Sequence, residues 1–306
     1  MSRLYSHKAQ HYIPSSYLAA WCDPDTPALM QPYVWTFDRS GGSGRKRAPR
    51  NLFTETDIYT ILMPDGSRDL RIEYELSKLE KGLKCLVVDY VARHRQLPQQ
   101  RQASLIAFIA AMHGRTPQAR EIQRTLWQEM LDLDEQQERD FAKGNASDRE
   151  LADEVSSLPQ GSQMGLDILR RAINSPMQFL LPGAINDGLP MLSQMTMTIM
   201  CTDEPSFITS DSPVTWFDPT VARDKFLTHK SLLSDKAIEV AMPLSPRHMI
   251  LMHHPMTPFV KPVRYVGASA STVAALNRRT AHYADKAIVS WRDGFDPKWR
   301  IAPRAP

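Results

Sequence analysis

Cysteine is scarce in this chain, with three residues among 306, at Cys22, Cys85 and Cys201. The three stand far apart in sequence, and none has the CxxC or Cys/His spacing of a metal-binding motif. A sparse, odd number of cysteines excludes a disulfide framework and is typical of a reducing compartment.

Long apolar runs are also lacking. The first ten residues, Met1 to Gln10, are polar and have no apolar centre of the kind that a signal peptide needs. The longest apolar run, around Leu189 to Cys201, is short and contains Ser, Thr and Gln. We therefore expect a soluble cytoplasmic protein that does not associate with a membrane.

Neither an excess of charge nor a familiar nucleotide or metal motif is present. The 37 basic and 34 acidic residues are interspersed and leave a net charge of +3, which excludes a strongly cationic protein but allows a local anion-binding patch. The sequence contains no GxGxxG, GxxxxGK[ST] or HExxH motif and no EF-hand loop. Function must therefore be sought in residues that are scattered along the chain.

Hydrophobic patterning divides the chain into a β-rich part (9–63), a helical part (69–200) and a second β-rich part (206–291). In the first part, Val34–Asp38 is expected to form a strand, Gly41–Arg50 a flexible basic surface loop, and Asp57–Met63 another strand. The basic loop either contacts nucleic-acid phosphate or is simply solvated.

The residue pattern predicts a series of helices in the helical part and mainly strands in the last part. Thr116 and Pro117 have the pattern of an N-cap followed by a first helical residue. The predicted helices cover 69–95, 101–113, 117–141, 148–156, 163–174 and 191–200, with a final one at 269–284. The predicted late strands cover 207–209, 238–242, 248–253 and 287–291. We expect a single α+β domain over 1–306, in which the helical middle is flanked by β-rich N- and C-terminal parts that share one mixed sheet.

Two sets of ionisable side chains near the start of the chain are candidates for chemistry. His11, beside Tyr12 and Pro14, is suited to act as a general acid, a general base or a ligand, or alternatively to cap a turn. Glu73 and Glu80 lie seven residues apart on one predicted helix face. They either bind a divalent cation and share acid–base work, or belong to a solvated surface.

Two further candidates lie at element boundaries. Arg115 precedes a predicted helix start, where free N–H groups attract anions, so it either holds an anionic group or pairs with an internal carboxylate. Asp211 follows a predicted strand and precedes Ser212 and Pro213. It is placed either for catalysis or for an Asx-turn, and the two roles can coexist. Ser210 lacks the GxSxG elbow of a nucleophile.

Several phrases in order along the chain resemble a family of bacterial and fungal proteins known as DUF4238, a domain of unknown function. The phrases are His11–Pro14 with Tyr17-Leu18, Trp35 with Phe37-Asp38, Asp57–Tyr59, Ile72-Glu73 with Glu80, Phe108 through Arg115–Pro117, Phe207–Val214, Pro243–Pro246 and Leu276-Asn277. Together they cover most of the chain, from about residue 9 to 291. That family often has glutamine at the position of His113. The resemblance implies that His11, Glu73, Glu80, Arg115, Asp211 and Asn277 belong to one design, and it implies no reaction.

Two functional hypotheses account for this set of residues. In the first, His11 transfers protons, Glu73, Glu80 and Asp211 bind a divalent metal or polarise a water, and Arg115 and Asn277 complete the site. Such a protein is a phosphate-ester hydrolase of the nuclease type acting on nucleic acid or a nucleotide, with a role in defence as a further hypothesis. In the second, the protein is a non-catalytic interaction or ligand-sensing protein, and the same residues form a buried structural network. Exposure of His11 and Asp211 separates the two.

Overall fold

The computed structural model of this chain describes residues 9–63, 65–143, 163–218, 236–255 and 262–299. The predicted α+β class is confirmed. The chain divides into two compact units, one formed by Met1–Thr116 with Ala184–Pro306 and the other by Pro117–Gly183. The single domain over 1–306 stays a prediction, since cooperativity is a property of unfolding.

Seven α-helices of the described residues are numbered here in chain order. They are α1 (Ser15–Leu18), α2 (Arg71–Asp89), α3 (Gln99–Gly114), α4 (Pro117–Lys143), α5 (Gln163–Asn174), α6 (Pro176–Ser193) and α7 (Ala270–Tyr283). Helix α3 is apolar on most of its faces and is deeply buried along its second half. The last helix begins where Ser269 Oγ accepts a hydrogen bond from Thr272 N, an N-cap that satisfies one free donor of the first turn.

The described strands are short, and most of them come from the two ends of the chain. They are β1 (Ala9–His11), β2 (Val34–Asp38), β3 (Arg45–Arg47), β4 (Thr54–Thr56), β5 (Ile61–Leu62), β6 (Arg68–Asp69), β7 (Thr196–Cys201), β8 (Thr209–Ser210), β9 (Thr215–Phe217), β10 (Glu239–Ser245), β11 (His248–His253), β12 (Arg264–Gly267) and β13 (Ala287–Ser290). Strands β2 and β11 have the bounds that their sequence pattern predicted.

The strands form two principal sheets and two small strand pairs. One principal sheet has the order β12-β7-β11-β10-β9 and is mixed, because β12 pairs with β7 in parallel while the other pairs are antiparallel. The other has the order β3-β2-β13-β8 and joins strands from both ends of the chain. The single mixed sheet predicted for the two ends is therefore not confirmed, although one of the sheets is shared between them.

The larger of two described core clusters in the first unit includes the N-terminal segment. Ile13, Tyr17 and Trp21 from the N-terminal segment pack there with the inner faces of β2, β10 and β13 and with the buried residues of α3. The Tyr17 ring packs at a tilt against Trp21 and Phe108, with ring centroids 4.9 and 6.3 Å away. The N-terminal segment is thus an integral part of the core.

The second unit consists of α4, α5 and the first part of α6. Leu131 of α4 and Leu166 of α5 are buried. Arg170 pairs with Glu135 at 3.1 Å, and Arg124 donates to the carbonyl of Ile173 at 3.2 Å. These contacts hold α5 along α4.

Some sequence-based predictions are wrong or only partly right. The segment 191–200 is not a helix, because α6 ends at Ser193 and Thr196–Cys201 is a strand rich in β-branched side chains. The basic segment 41–50 is not all loop, because Arg45–Arg47 pairs with β2 as an exposed edge strand. Within 57–63 only Ile61–Leu62 is a strand. The helix predicted at 148–156 lies outside the described residues.

No helix of the described residues combines the length and the apolar character needed to cross a membrane.

Candidate functional site

Arg115 lies at the centre of a buried polar network in the first unit. The residue is 2% exposed, and it follows directly on α3. Its guanidinium donates to Glu80 Oε1 at 2.8 Å, to the Tyr59 hydroxyl at 3.0 Å and to the His11 carbonyl at 2.7 Å. All three nitrogens of the fork are thereby engaged, so Arg115 pairs with an internal carboxylate, one of the two roles left open by the sequence.

Glu73 enters the same network through Gln10. The Gln10 amide donates to Glu73 Oε2 at 2.6 Å and to Thr60 Oγ1 at 3.1 Å, and its oxygen accepts from the backbone N–H of Tyr59 at 2.7 Å. From one helix, Glu73 therefore contacts Gln10 of β1 directly, and Glu80 is linked to the neighbouring His11 through Arg115. The structure brings His11, Glu73, Glu80 and Arg115 together.

The imidazole of His11 is half-buried beside this network. Burial lowers the pKa of His11, and hydrogen bonding to the backbone of Arg50 and the nearby Glu80 carboxylate oppose the shift. The ring is therefore neutral at neutral pH. Its Nε2 atom is buried and has no hydrogen-bond partner among the described residues.

Asp211 lies in a different place, directly after β8 and beside the start of β13. The residue is 2% exposed, and its carboxylate accepts from the backbone N–H groups of Asp285, Lys286 and Ala287 at 2.8, 2.7 and 3.0 Å. Burial raises the pKa of Asp211 to about 6, although the three donors favour the charged form. The side chain fixes a distant connection, from α7 into β13, where the sequence suggested a local Asx-turn.

Asn277 ties α7 to the segment before β8. Its Oδ1 accepts from the backbone N–H of Ile208 at 3.1 Å, and its Nδ2 donates to the carbonyl of Ser206 at 2.8 Å. The residue is 5% exposed. Both ends of the amide are thus engaged with backbone.

The carboxylates predicted to bind a divalent metal are each engaged elsewhere. Within the described residues, Glu73, Glu80 and Asp211 do not form a group of potential metal ligands. Glu73 accepts from Gln10, Glu80 pairs with Arg115, and Asp211 accepts from backbone. The first unit therefore contains one polar network around Arg115, with Asp211 and Asn277 each bonded to backbone elsewhere, whereas a single site was expected.

A cavity of about 1020 Å³ lies elsewhere in the first unit and is called here the large cavity. Its walls are the ends of β7 and β12, the first half of α7, and the segment 291–299. The lining includes four carboxylates and four aromatic rings: Asp203, Glu204, Asp293 and Asp296, with Tyr265, Trp291, Phe295 and Trp299. Of the six predicted site residues, Asn277 also lines it; the other five are not part of its lining.

His94, Cys201 and His248 form a group at this cavity that sequence reasoning missed. One potential ligand atom from each lies within 4.8 Å of the others. His94 and Cys201 also line the large cavity. Burial raises the pKa of the Cys201 thiol and, together with the charges of His94 and Arg247, lowers the pKa of His248 to about 4.

No spacing rule could have found this group, since its members lie in three distant parts of the sequence. The one usable signal was strand register: His248 stands directly opposite Cys201 in the β7–β11 pair. The sequence analysis could not use it, because it assigned 191–200 to a helix.

Taken together, the fold defines an α+β protein with a mixed five-stranded sheet beside a large acidic and aromatic cavity. The chain belongs to the DUF4238 family, described as proteins of unknown function, whose family model matches residues 9–294. No curated protein and no solved structure was found to match it.

Proposed function

We propose that the protein binds a small organic cation, one that carries an ammonium or guanidinium group, in the large cavity. The observation that carries the proposal is the charge of the lining. Among the described residues it contains four carboxylates, those of Asp203, Glu204, Asp293 and Asp296, and a single arginine, Arg292. Such a wall attracts cations and repels phosphate.

The aromatic rings of the lining support the same ligand class. A cation over the face of a Trp or Tyr ring gains about 0.5–2 kcal/mol, depending on how far it is desolvated. The lining offers Tyr265, Trp291 and Trp299. The guanidinium of Arg292 lies 5.4 Å from the centre of the Trp291 ring, so one ring of this wall already contacts a cationic side chain of the protein itself.

The hydrogen bonds of the predicted site residues support a non-catalytic role for most of them. Asp211 is buried and accepts three backbone hydrogen bonds, and Asn277, which also lines the large cavity, bonds to backbone through both its oxygen and its nitrogen. Arg115 has no guanidinium nitrogen left for an anion. These residues fit the ligand-sensing alternative, in which they hold the walls of a binding cavity in place.

Hydrolysis is a second candidate function, favoured by one specific observation. His94, Cys201 and His248 are metal-ligand residue types gathered at the edge of the large cavity. A phosphate-ester substrate has less support, since the cavity wall is acidic and the exposed basic strand β3 lies on the other principal sheet. Nucleic acid or a nucleotide as partner is therefore the weaker proposal.

Calorimetric titration tests the binding proposal with probes of opposite charge. We expect tetramethylammonium and spermidine to bind, with an affinity that falls as salt is added, and AMP not to bind. In the double variant Asp293→Asn, Asp296→Asn the affinity should fall by about tenfold or more, equivalent to about 1.4 kcal/mol. Both asparagines retain an oxygen for the backbone N–H groups that the aspartates accept from.

Glu75→Gln provides the matched control, since it removes one carboxylate from an exposed position on α2 outside the cavity lining. The affinity of the Glu75→Gln variant for both cations should equal that of the wild type. Binding of AMP without binding of the cations would instead support the phosphate-ester hypothesis. If no probe binds to the folded protein, the cation proposal is overturned.

A further inference from the structure

We propose that His94, Cys201 and His248 bind a divalent transition metal with the ligand preferences of Zn²⁺, leaving one coordination position open to the large cavity. The three potential ligand atoms lie within 4.8 Å of one another. A thiolate with two imidazoles is a nitrogen–sulfur set, which suits zinc and disfavours magnesium or calcium. The inference goes beyond the binding of an organic cation and does not depend on it.

Sheet geometry places two of the three ligands. Cys201 on β7 and His248 on β11 are directly opposite each other in an antiparallel pair, so their side chains leave the same face of the sheet. Directly opposed Cβ atoms lie about 4.5–5.5 Å apart. The backbone therefore holds these two side chains close together without relying on long flexible groups.

A hydrogen bond orients the imidazole of His248. Its Nδ1 lies 2.9 Å from Ser245 Oγ, while the residue as a whole is 8% exposed. When Nδ1 donates to the hydroxyl oxygen, Nε2 carries the lone pair and is the atom available to a metal. Metal-binding histidines almost always have such a partner on the other ring nitrogen.

His94 is held in place by an unusual backbone conformation and by Tyr265. It follows a turn of 3₁₀-helix and adopts φ 50° and ψ 34°, the left-handed region that is costly for a residue with a side chain. Its ring stacks on Tyr265 with centroids 5.0 Å apart and planes inclined by 19°. The Tyr265 hydroxyl in turn donates to the carbonyl of Arg95 at 2.6 Å.

Strain of this kind persists where surrounding contacts enforce it, and such positions concentrate at functional sites. The turn at His94, the stacking on Tyr265 and the opposed pair on β7 and β11 come from three distant segments. Together they place the side chains of His94, Cys201 and His248 next to one another.

The separation of the ligand atoms is close to what zinc needs. With Zn–S of about 2.3 Å and Zn–N of about 2.0–2.1 Å, ligand atoms of a tetrahedral site lie roughly 3.3–3.7 Å apart. A separation of up to 4.8 Å is within about 1.5 Å of that range, so the three ligand atoms need to approach one another by at most about that much when the metal binds. Metal binding also converts the Cys201 thiol to a thiolate, with release of its proton.

Three protein ligands leave a fourth position of a tetrahedral site unfilled, as in catalytic zinc sites. Because His94 and Cys201 line the large cavity, this position faces it. On the other side of Cys201 the paired residue is Gly267 of β12, where a Cβ atom would meet nothing within 4 Å. A water or a donor atom of a small ligand therefore has room beside the metal.

Metal titration of the full-length, chelator-treated protein tests the site directly. We expect one equivalent of Zn²⁺ to bind in competition with a chromophoric chelator, and Co²⁺ to give a thiolate-to-cobalt charge-transfer band. Cys201→Ser should abolish the band, and His94→Ala should weaken Zn²⁺ binding by more than about a hundredfold. Ser245→Ala, which removes only the partner of His248, should weaken it by about 10–100-fold.

Cys85→Ser is the matched control, because it removes an exposed cysteine outside the group and should leave both readouts unchanged. Since His94 is on the surface, His94→Ala keeps the test valid if variants at the more buried Cys201 or His248 fail to fold. A cobalt complex without the charge-transfer band, or zinc affinity unaltered by His94→Ala, would overturn the proposal. So would the absence of any metal binding by the folded wild type.

Discussion

Tyr17 and Thr209, which are 192 residues apart in sequence, share a buried hydrogen bond of 2.7 Å between their hydroxyl oxygens. The Tyr17 hydroxyl also donates to the carbonyl of Pro243 at 2.8 Å. Three of the phrases that carry the family resemblance, near residues 17, 209 and 243, are thus joined at a single side chain. These phrases contain the residues through which the N-terminal segment is hydrogen-bonded to the C-terminal part of the chain.

Tyr17→Phe should lower the free energy of unfolding by about 1–3 kcal/mol, because it leaves buried acceptors without a donor while keeping the ring in the core. Urea unfolding of both proteins measures the difference. Tyr74→Phe is the control, since Tyr74 is 63% exposed, and it should change stability by less than about 0.5 kcal/mol. A Tyr17→Phe variant as stable as the control would contradict this anchoring role.

Arg115→Lys should destabilise the protein by about 1–3 kcal/mol even though it keeps the charge. A lysine ammonium cannot reach Glu80, the Tyr59 hydroxyl and the His11 carbonyl with the fixed fork of a guanidinium. Arg115→Ala should cost more, about 3–5 kcal/mol, because the Glu80 carboxylate then loses its partner. Denaturant unfolding provides the measurement.

Arg71→Lys is the matched control for the substitution at position 115. Arg71 pairs with Asp69 at 2.6 Å, but its side chain is 80% exposed, so solvent screens the interaction and the expected change is below about 0.5 kcal/mol. Equal effects of lysine at positions 71 and 115 would show that the buried fork adds nothing to stability.

The fold class and many element bounds could be predicted because they follow from local pattern. Alternation indicated β2, a β-like run between proline-rich loops indicated β11, and the Thr116–Pro117 pair marked the start of α4. The helix predicted at 191–200 was wrong because a short apolar run fits a buried helix and a buried strand equally well. Strand β3 was missed because its glycine-rich, basic sequence resembles a loop, and its pairing with β2 is what orders it.

The candidate sites were predictable to different degrees for the same reason. His11, Glu73, Glu80 and Arg115 were recognised as polar residues beside apolar neighbours, and they do meet. Asp211 and Asn277 were grouped with them, although each instead bonds to backbone near its own position in the fold. The group of His94, Cys201 and His248 depends on strand register and on one left-handed turn, neither of which a single sequence encodes locally.

Asp211→Asn should change how stability depends on pH. Burial raises the pKa of Asp211 to about 6 in the folded protein, above its ordinary value of 3.8. The folded state therefore binds a proton that the unfolded state releases between these values. The stabilisation that comes from this extra bound proton is fully present below about pH 4 and is lost as pH rises through about 6.

The free energy of unfolding of the wild type relative to Asp211→Asn should thus rise by about 1–3 kcal/mol between pH 7 and pH 4. Chemical unfolding of both proteins across this range provides the measurement. Parallel pH profiles would contradict a raised pKa at this position and would indicate that the three backbone donors hold the carboxylate charged.

His113→Phe should produce a pH effect of the opposite sign. The His113 ring stacks on Trp216 with centroids 3.8 Å apart, and burial lowers its pKa from 6.5 to about 4. Since the folded state resists protonation, the contribution of His113 to stability is present above about pH 6.5 and is lost as pH falls through about 4. Phenylalanine keeps an aromatic ring against Trp216 and removes the titration.

The variant should therefore lose less stability on acidification than the wild type, by about 2–3 kcal/mol at pH 4. Asp211 and His113 act in the same pH window with opposite slopes, so their effects partly cancel in the wild type and only the single variants separate them. Urea unfolding of His113→Phe, Asp211→Asn and the double variant distinguishes the two linkages. If His113→Phe becomes less stable than the wild type as the pH falls, the histidine is protonated in the folded protein, and the assignment of a neutral, stacked imidazole is wrong.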